Sequence, residues 1–246
     1  MRCLLLFALA ASSAARAAEP TLPFEVHKLG NGLTVILSED HRLPQVAVDV
    51  WSHVGAPQQA KGRSGFAHLF EHIMLFAGTK NVPNASKVLE QGGTVLGPMA
   101  NGTTNLDRTN YFETVASADL PVALWIESDR MGYLADALTE EKLKVQRDVV
   151  SNERRQGNEN RPFGLSELRG VELAYPEPHP YHLSVIGSIA EIQAASIQDL
   201  RDFFHANYGP NNASLAIVGD FEPKEALALV TRYFGGLPRG PEVRHG

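Results

Sequence analysis

The most informative segment of this 246-residue chain is Phe66–Phe76, which reads FAHLFEHIMLF. Its apolar residues are too dense for a helix with one solvated face, so the pattern predicts an α-helix that is largely buried. His68, Glu71 and His72 interrupt this apolar run. Burying three ionisable groups is costly unless they are paired or bound to a metal. The segment therefore predicts a buried helix that carries a polar site.

Strand patterns precede this helix, and strands and helices follow it. Residues 24–29 and 33–37 alternate around Gly30-Asn31-Gly32, which indicates a β-hairpin. Further strands are predicted at residues 46–51, 94–104, 109–115 and 213–218. Further helices are predicted at residues 86–91, 118–135, 140–156, 164–174, 196–206 and 223–234. This order predicts an α+β fold in which a largely antiparallel sheet packs against helices, and it argues against a doubly wound nucleotide-binding fold.

The overall composition is that of a soluble globular protein. The chain is 43% hydrophobic and 20% charged, with a formal net charge of −6, and it contains no run of Lys or Arg. These features argue against a nucleic-acid-binding function. The sequence also lacks an apolar stretch of the roughly 20 residues that a membrane-spanning helix needs, so we expect no membrane span.

Residues 1–17 have the pattern of a secretory signal peptide. A basic start is followed by an apolar stretch and by the cleavage pattern Ala15-x-Ala17. The apolar stretch is too short for a membrane anchor, and a mitochondrial presequence should be amphipathic and richer in arginine. We therefore expect a periplasmic or secreted protein. Cys3 is the only cysteine and would leave with the leader, so no cysteine could bind a metal in the mature chain.

The spacing of the two histidines predicts a metal site. His68 and His72 are four residues apart, so on a helix they lie roughly 40° apart on one face and can share an ion. Glu71 falls on the same side of the helix. A carboxylate in this position can accept a proton from a zinc-bound water and so act as a general base. The pattern could also arise by chance, in roughly two such chains per hundred.

A zinc site of this kind needs a third protein ligand, which without cysteine should be a carboxylate or another histidine. In the helix predicted at 140–156, Glu153 shares a stripe with Leu143 and Val150, where an apolar residue would be expected. The alternative is that Glu153 forms a surface ion pair with Arg154 or Arg155. Asp148 is a weaker candidate because five residues along a helix turn it about 140° away.

Several segments together resemble the pitrilysin/insulinase family of inverted-motif zinc peptidases. Residues 65–79 resemble the active-site helix of that family, whose motif is HxxEH. The resemblance continues through residues 101–104 (NGTT), 109–112 (TNYF), 149–155 (VVSNERR), 179–181 (HPY) and 210–215 (PNNASL). It covers nearly all of the sequence after the leader, in order. It implies that His68, His72 and Glu153 bind Zn2+ and that Glu71 activates water.

The resemblance also implies where a peptide substrate binds. In the family the strand around Asn101 and Gly102 receives the substrate by edge-strand addition, in which main-chain pairing holds many sequences. The alternative for Asn101 is that its side chain caps its own backbone.

The family further implies a two-lobe enzyme. Residues 18–238 would form the zinc-binding lobe, and residues 239–246 would begin a linker or tail. The partner would be a second homologous lobe, on the same polypeptide or on a separate subunit. The expected activity is zinc-dependent hydrolysis of peptide bonds in short or unfolded peptides. The alternative is a non-catalytic or partner-dependent subunit that acts as a scaffold or peptide-binding lobe and would normally have lost zinc ligands.

Overall fold

The computed structural model describes residues 21–243, so the signal peptide predicted at residues 1–17 and the last three residues of the tail lie outside it. The described residues form six strands and eight α-helices. The strands are β1 (Glu25–Lys28), β2 (Thr34–Glu39), β3 (Gln45–Ser52), β4 (Ala100–Thr104), β5 (Thr109–Ala116) and β6 (Ala213–Gly219). The helices are α1 (Phe66–Phe76), α2 (Ala85–Gln91), α3 (Leu120–Ala137), α4 (Glu140–Arg154), α5 (Gly164–Ala174), α6 (Ile189–Ala194), α7 (Ile197–Asn207) and α8 (Pro223–Phe234).

The strands form one sheet in the order β1-β2-β6-β3-β5-β4. Neighbouring strands are antiparallel except β2 and β6, which are parallel. The prediction of an α+β fold with a largely antiparallel sheet is therefore confirmed. Strand β4 ends the sheet, so one of its edges has no neighbouring strand among the described residues.

The helices cover one face of this sheet. In β3 the side chains of Val46, Val48 and Val50 are buried against the helices, whereas Ala47 and Trp51 on the opposite face are exposed. This alternation follows from the pleat, which points successive side chains to opposite faces. Burial of one sheet face under helices produces a two-layer structure.

The β1–β2 hairpin is anchored to the end of α8. Gly32 has a φ of 99°, which favours glycine. The side chain of Asn31 donates hydrogen bonds to the carbonyl oxygens of Phe234 (2.8 Å) and Leu237 (3.1 Å). The tail continues beside this turn, where Gly240 N donates to Asn211 Oδ1 at 2.7 Å. The chain around residue 240 therefore packs beside the β1–β2 turn.

Two predicted elements differ from the structure, and one helix was not predicted. The strand predicted at residues 94–104 begins only at Ala100, because Met99 N bonds to Val95 O in a turn where Gly97 has a φ of 92°. The helix predicted at residues 140–156 ends at Arg154 and continues as a wider helical turn to residue 159. Helix α6 was not predicted. No helix among residues 21–243 is long and apolar enough to cross a membrane.

Candidate metal centre

Helix α1 is the buried helix that the sequence predicts, with the same bounds. Gly65 precedes it with a φ of 84°, and a Cβ added there would lie 2.8 Å from Gly187 Cα, so the chain passes too close for a side chain. Phe66 and Phe70 pack against Phe203 of α7, with ring centroids 5.9 and 5.5 Å apart. These contacts fix the helix, and its opposite side carries the polar residues.

The structure brings the three predicted zinc ligands together. Glu153 Oε2 lies 3.2 Å from His72 Nε2 and 3.7 Å from His68 Nε2. The two imidazole rings meet edge to face, with centroids 4.8 Å apart. One ligand atom from each of the three residues lies within 4.8 Å of the other two. The site combines a buried histidine, His68, and a partly buried one, His72, with a half-exposed carboxylate.

The neighbouring arginines have other partners. Arg154 Nε donates to Glu159 at 3.2 Å, and Arg155 Nη1 donates to Asn152 at 2.8 Å. The surface ion pair considered as an alternative for Glu153 is therefore not the arrangement that the structure contains. Asp148, the weaker ligand candidate, accepts a hydrogen bond from Gln193 at 3.3 Å and is not in the ligand cluster.

The protonation states of His68 and Glu153 suit a divalent metal. Burial, followed by the charge of His72, lowers the pKa of His68 to about 4, so this imidazole is neutral at pH 7. The hydrogen bond with His72 lowers the pKa of Glu153, so its carboxylate is ionised. Metal ligands must be neutral imidazoles and ionised carboxylates. The converging His/His/Glu donor set therefore fits a zinc ion.

Glu71 lies beside this cluster and is almost completely buried. Its Oε2 accepts a hydrogen bond from the hydroxyl of Thr104 at 2.5 Å. Burial raises the pKa of Glu71, while the Thr104 hydrogen bond opposes that shift. Thr104 was missed in the sequence, although it is two residues after Gly102 and therefore faces the same side of β4.

The two residues predicted to bind substrate lie on β4. A Cβ added to Gly102 would come within 2.9 Å of Leu75 Cδ1 and 3.0 Å of Glu71 Cγ. Glycine thus lets β4 pack directly on α1 beside the candidate base. Asn101 is exposed, and its Oδ1 accepts a hydrogen bond from Gly102 N at 2.9 Å, which is the local capping alternative.

Two family models match the chain. Residues 34–169 match "Insulinase (Peptidase family M16)", and residues 194–246 match "Peptidase M16 inactive domain". The first match includes α1, β4, β5 and α4, and with them all the residues of the candidate site.

Individual relatives include both named proteases and a respiratory-complex subunit. "Zinc protease PqqE" of Helicobacter pylori is 33% identical over 212 residues, which are 85% of this chain and 46% of that protein. Human "Cytochrome b-c1 complex subunit 1, mitochondrial" is 27% identical over 219 residues, covering 87% of this chain and 43% of that one. The chain thus spans about half the length of these relatives.

Solved structures that resemble this chain include that of the periplasmic protease PqqL from Escherichia coli. It aligns with a TM-score of 0.81 at 26% identity, covering 94% of this chain and 26% of that chain. Together with the family match over residues 34–169, these similarities establish that the chain belongs to the peptidase M16 (insulinase/pitrilysin) family.

Proposed function

We propose that residues 18–238 form the zinc-binding lobe of a metallopeptidase that hydrolyses short or unfolded peptides. The observation that carries this proposal is the convergence of His68, His72 and Glu153 within 4.8 Å, with Glu71 buried next to them. Three protein ligands leave an open coordination position, which is typical of catalytic rather than structural zinc sites. The zinc proteases among the relatives support the same activity.

The chemistry proposed for this site divides between the metal and Glu71. When bound, zinc would supply a Lewis acid that polarises a substrate carbonyl and lowers the pKa of a water molecule. The Thr104 hydroxyl holds Glu71 through Oε2, and the remaining acceptor sites of the carboxylate would take a proton from this water. Glu71 then returns the proton to the departing amine. Its burial favours that transfer because it brings the pKa of the carboxyl closer to that of a base acting near neutral pH.

Peptide binding is proposed at the free edge of β4. An extended peptide that pairs with β4 would extend the sheet beside α1, where Gly102 contacts Glu71. Main-chain pairing accepts many sequences, which suits a peptidase of unfolded substrates. In this proposal the main-chain groups of Gly102 hold the substrate, and the side chain of Asn101, which accepts a hydrogen bond from Gly102 N, releases that N–H when the peptide pairs.

The proposed enzyme needs a second homologous lobe, on the same polypeptide or on another subunit. The support is that this chain covers 46% of the PqqE protease and 26% of the PqqL chain. The cytochrome b-c1 relative favours the second candidate function, a non-catalytic or partner-dependent subunit. We also propose export to the periplasm or the medium, on the basis of residues 1–17 and the periplasmic relative PqqL.

Zinc content and turnover together test the proposal. We expect the purified chain to retain about one zinc per molecule after dialysis, because two histidines and an ionised carboxylate converge at its site. Hydrolysis of a fluorogenic unstructured peptide should be weak for the chain alone and strong when the second lobe is present. A two-lobe protein that holds zinc but cleaves no peptide would support the non-catalytic alternative. High turnover by the isolated chain would contradict the need for a second lobe.

Removing the Thr104 hydroxyl should slow catalysis without releasing zinc. We expect Thr104→Val to lower kcat by about 10–100-fold, the range for losing a hydrogen-bond partner that orients a group in a metal site. Thr104→Ser keeps the hydroxyl and should retain most of the activity. The measurements are kcat and KM of the two-lobe enzyme and zinc content by elemental analysis. Equal kcat values for Thr104→Val and the parent would show that Glu71 needs no such partner.

A further inference from the structure

A second cavity, of about 250 Å3, lies beside the free edge of β4. It is bounded by Leu75 at the end of α1, by Ser86 of α2 and by Ala100 at the start of β4. Glu113 of β5 and Arg130 of α3 also line it. Its volume is below the roughly 300–1,000 Å3 of pockets that hold drug-sized ligands. It therefore suits a single side chain.

Glu113 is an unusual residue to find in such a cavity. It is 1% exposed, and neither of its carboxylate oxygens has a hydrogen-bond donor among the described residues. Burial, and then the neighbouring carboxyl of Glu127, raise the pKa of Glu113 well above its ordinary value. A proton shared with Glu127 would let the two carboxyls bond to each other. Buried polar groups usually have partners, so this one requires an explanation.

The charges around Glu113 do not balance when both carboxyls are ionised. Glu127 is 1% exposed and Arg130 is 3% exposed, and Arg130 Nη1 donates to Glu127. The guanidinium of Arg130 therefore faces two buried carboxyls. The charge of Asp49 raises the pKa of both. A cation that enters the cavity could replace the shared proton while the cluster stays neutral, and it would give Glu113 a charged donor. An acidic side chain would instead meet two carboxyls.

The position of the cavity connects it to the proposed substrate strand. Ala100 lies opposite Glu113 in the β4–β5 register, and Ala100 and Gly102 face the helices. Ala100 is two residues, or about 6.8 Å, from Gly102, which contacts Glu71. A peptide added to β4 would pair at Gly102 rather than at Ala100, whose carbonyl oxygen already accepts a hydrogen bond from Gly97 N at 2.9 Å. Its next side chain facing the helices, on the Ala100 side, would reach the cavity. That residue would lie about two positions from the one beside Glu71.

We propose that this cavity binds the side chain of a lysine or arginine, with Glu113 as the group that recognises its charge. The inference rests on the proposed function, because it assigns the basic residue to a peptide substrate. The proposal predicts that the enzyme prefers substrates with a basic residue at one fixed position near the cleaved bond. At other positions, main-chain pairing would accept many residues.

A small probe tests the cavity independently of zinc and of catalysis. We expect n-butylammonium to bind the chain saturably in an NMR titration, with amide shifts centred on Leu96 and Ala100. Glu113→Gln, which keeps the volume of the side chain, should weaken binding about tenfold or more, as the loss of one charged hydrogen bond predicts. Ser86→Phe, which adds a ring to the lining of the cavity, should weaken binding without altering the buried carboxyls. Glu167→Gln on the exposed surface of α5 should have no effect.

Matched peptides then test the biological ligand. With the Glu71→Gln chain, which cannot cleave, a lysine peptide should bind about tenfold more tightly than the same peptide with norleucine, and Glu113→Gln should remove the difference. Equal affinity of the two peptides, a preference for glutamate, or butylammonium binding that Glu113→Gln leaves unchanged would each overturn the proposal. Specific butylammonium binding by a chain that fails to retain zinc would contradict the peptidase proposal and support the cation site.

Discussion

Replacing Glu71 by glutamine is expected to abolish peptide hydrolysis while the protein keeps its zinc. Glutamine has nearly the same shape but cannot accept the proton that a general base takes from water. Glu71 is not one of the three residues whose ligand atoms converge. We expect kcat to fall by about 10²–10⁴-fold, the range over which a general base contributes. Zinc content should stay equal to that of the parent.

The same substitution should not damage the fold, and this separates lost chemistry from lost structure. Burial raises the pKa of Glu71, which means that its ionised form is disfavoured inside the protein. Glutamine carries no charge and can still bond to the Thr104 hydroxyl. The free energy of unfolding, measured by denaturant titration, should therefore be at least that of the parent.

A surface variant provides the control for this experiment. Glu90→Gln makes the same change on an exposed part of α2 and should leave activity and zinc content unchanged. If Glu71→Gln cleaved peptides at the parental rate, Glu71 would not be the base. If Glu71→Gln lost zinc together with activity, the role of the Glu71 carboxylate would instead be to support zinc binding.

Local patterns predicted much of the helical structure. The bounds of α1, α5 and α8 agree with the prediction. Thr139 caps α4 as predicted, accepting a hydrogen bond from Lys142 N at 3.3 Å. The short helix α6 also had a detectable signal, since Ser188 and Glu191 form an S-x-x-E pattern at its start.

The errors occur where glycine or tertiary packing decides the conformation. The Gly97-Pro98 pair places a turn where apolar alternation suggested a continuous strand. The pairing of His68 with Glu153, 85 residues later, depends on the packing of α1 against α4, and helical spacing cannot predict such a contact. Likewise, Thr104 reaches Glu71 only because Gly102 lets β4 approach α1. Family resemblance supplied the expected role of Glu153, whereas its position came from the structure.

Replacing Glu153 by alanine should release zinc from the site. The carboxylate is the only negatively charged member of the three-residue cluster, and its Oε2 lies within 3.7 Å of both histidine Nε2 atoms. Loss of this ligand should weaken zinc binding by more than the roughly 10–100-fold seen when only a ligand's hydrogen-bond partner is lost. We expect the variant to lose its zinc during dialysis against a mild chelator that leaves the parent loaded. Elemental analysis of the dialysed protein measures the effect.

Asp148→Ala is the matched control, because it removes a carboxylate from the same helix outside the cluster. Zinc retention by this variant should equal that of the parent. Since Glu153 is half exposed, its removal should change the free energy of unfolding of the metal-free chain little. Stability measured with added zinc should fall, because the metal binds the folded variant less tightly. Parental zinc retention by Glu153→Ala would show that the two histidines hold the metal with another partner, and that the proximity of Glu153 reflects only its hydrogen bond with His72.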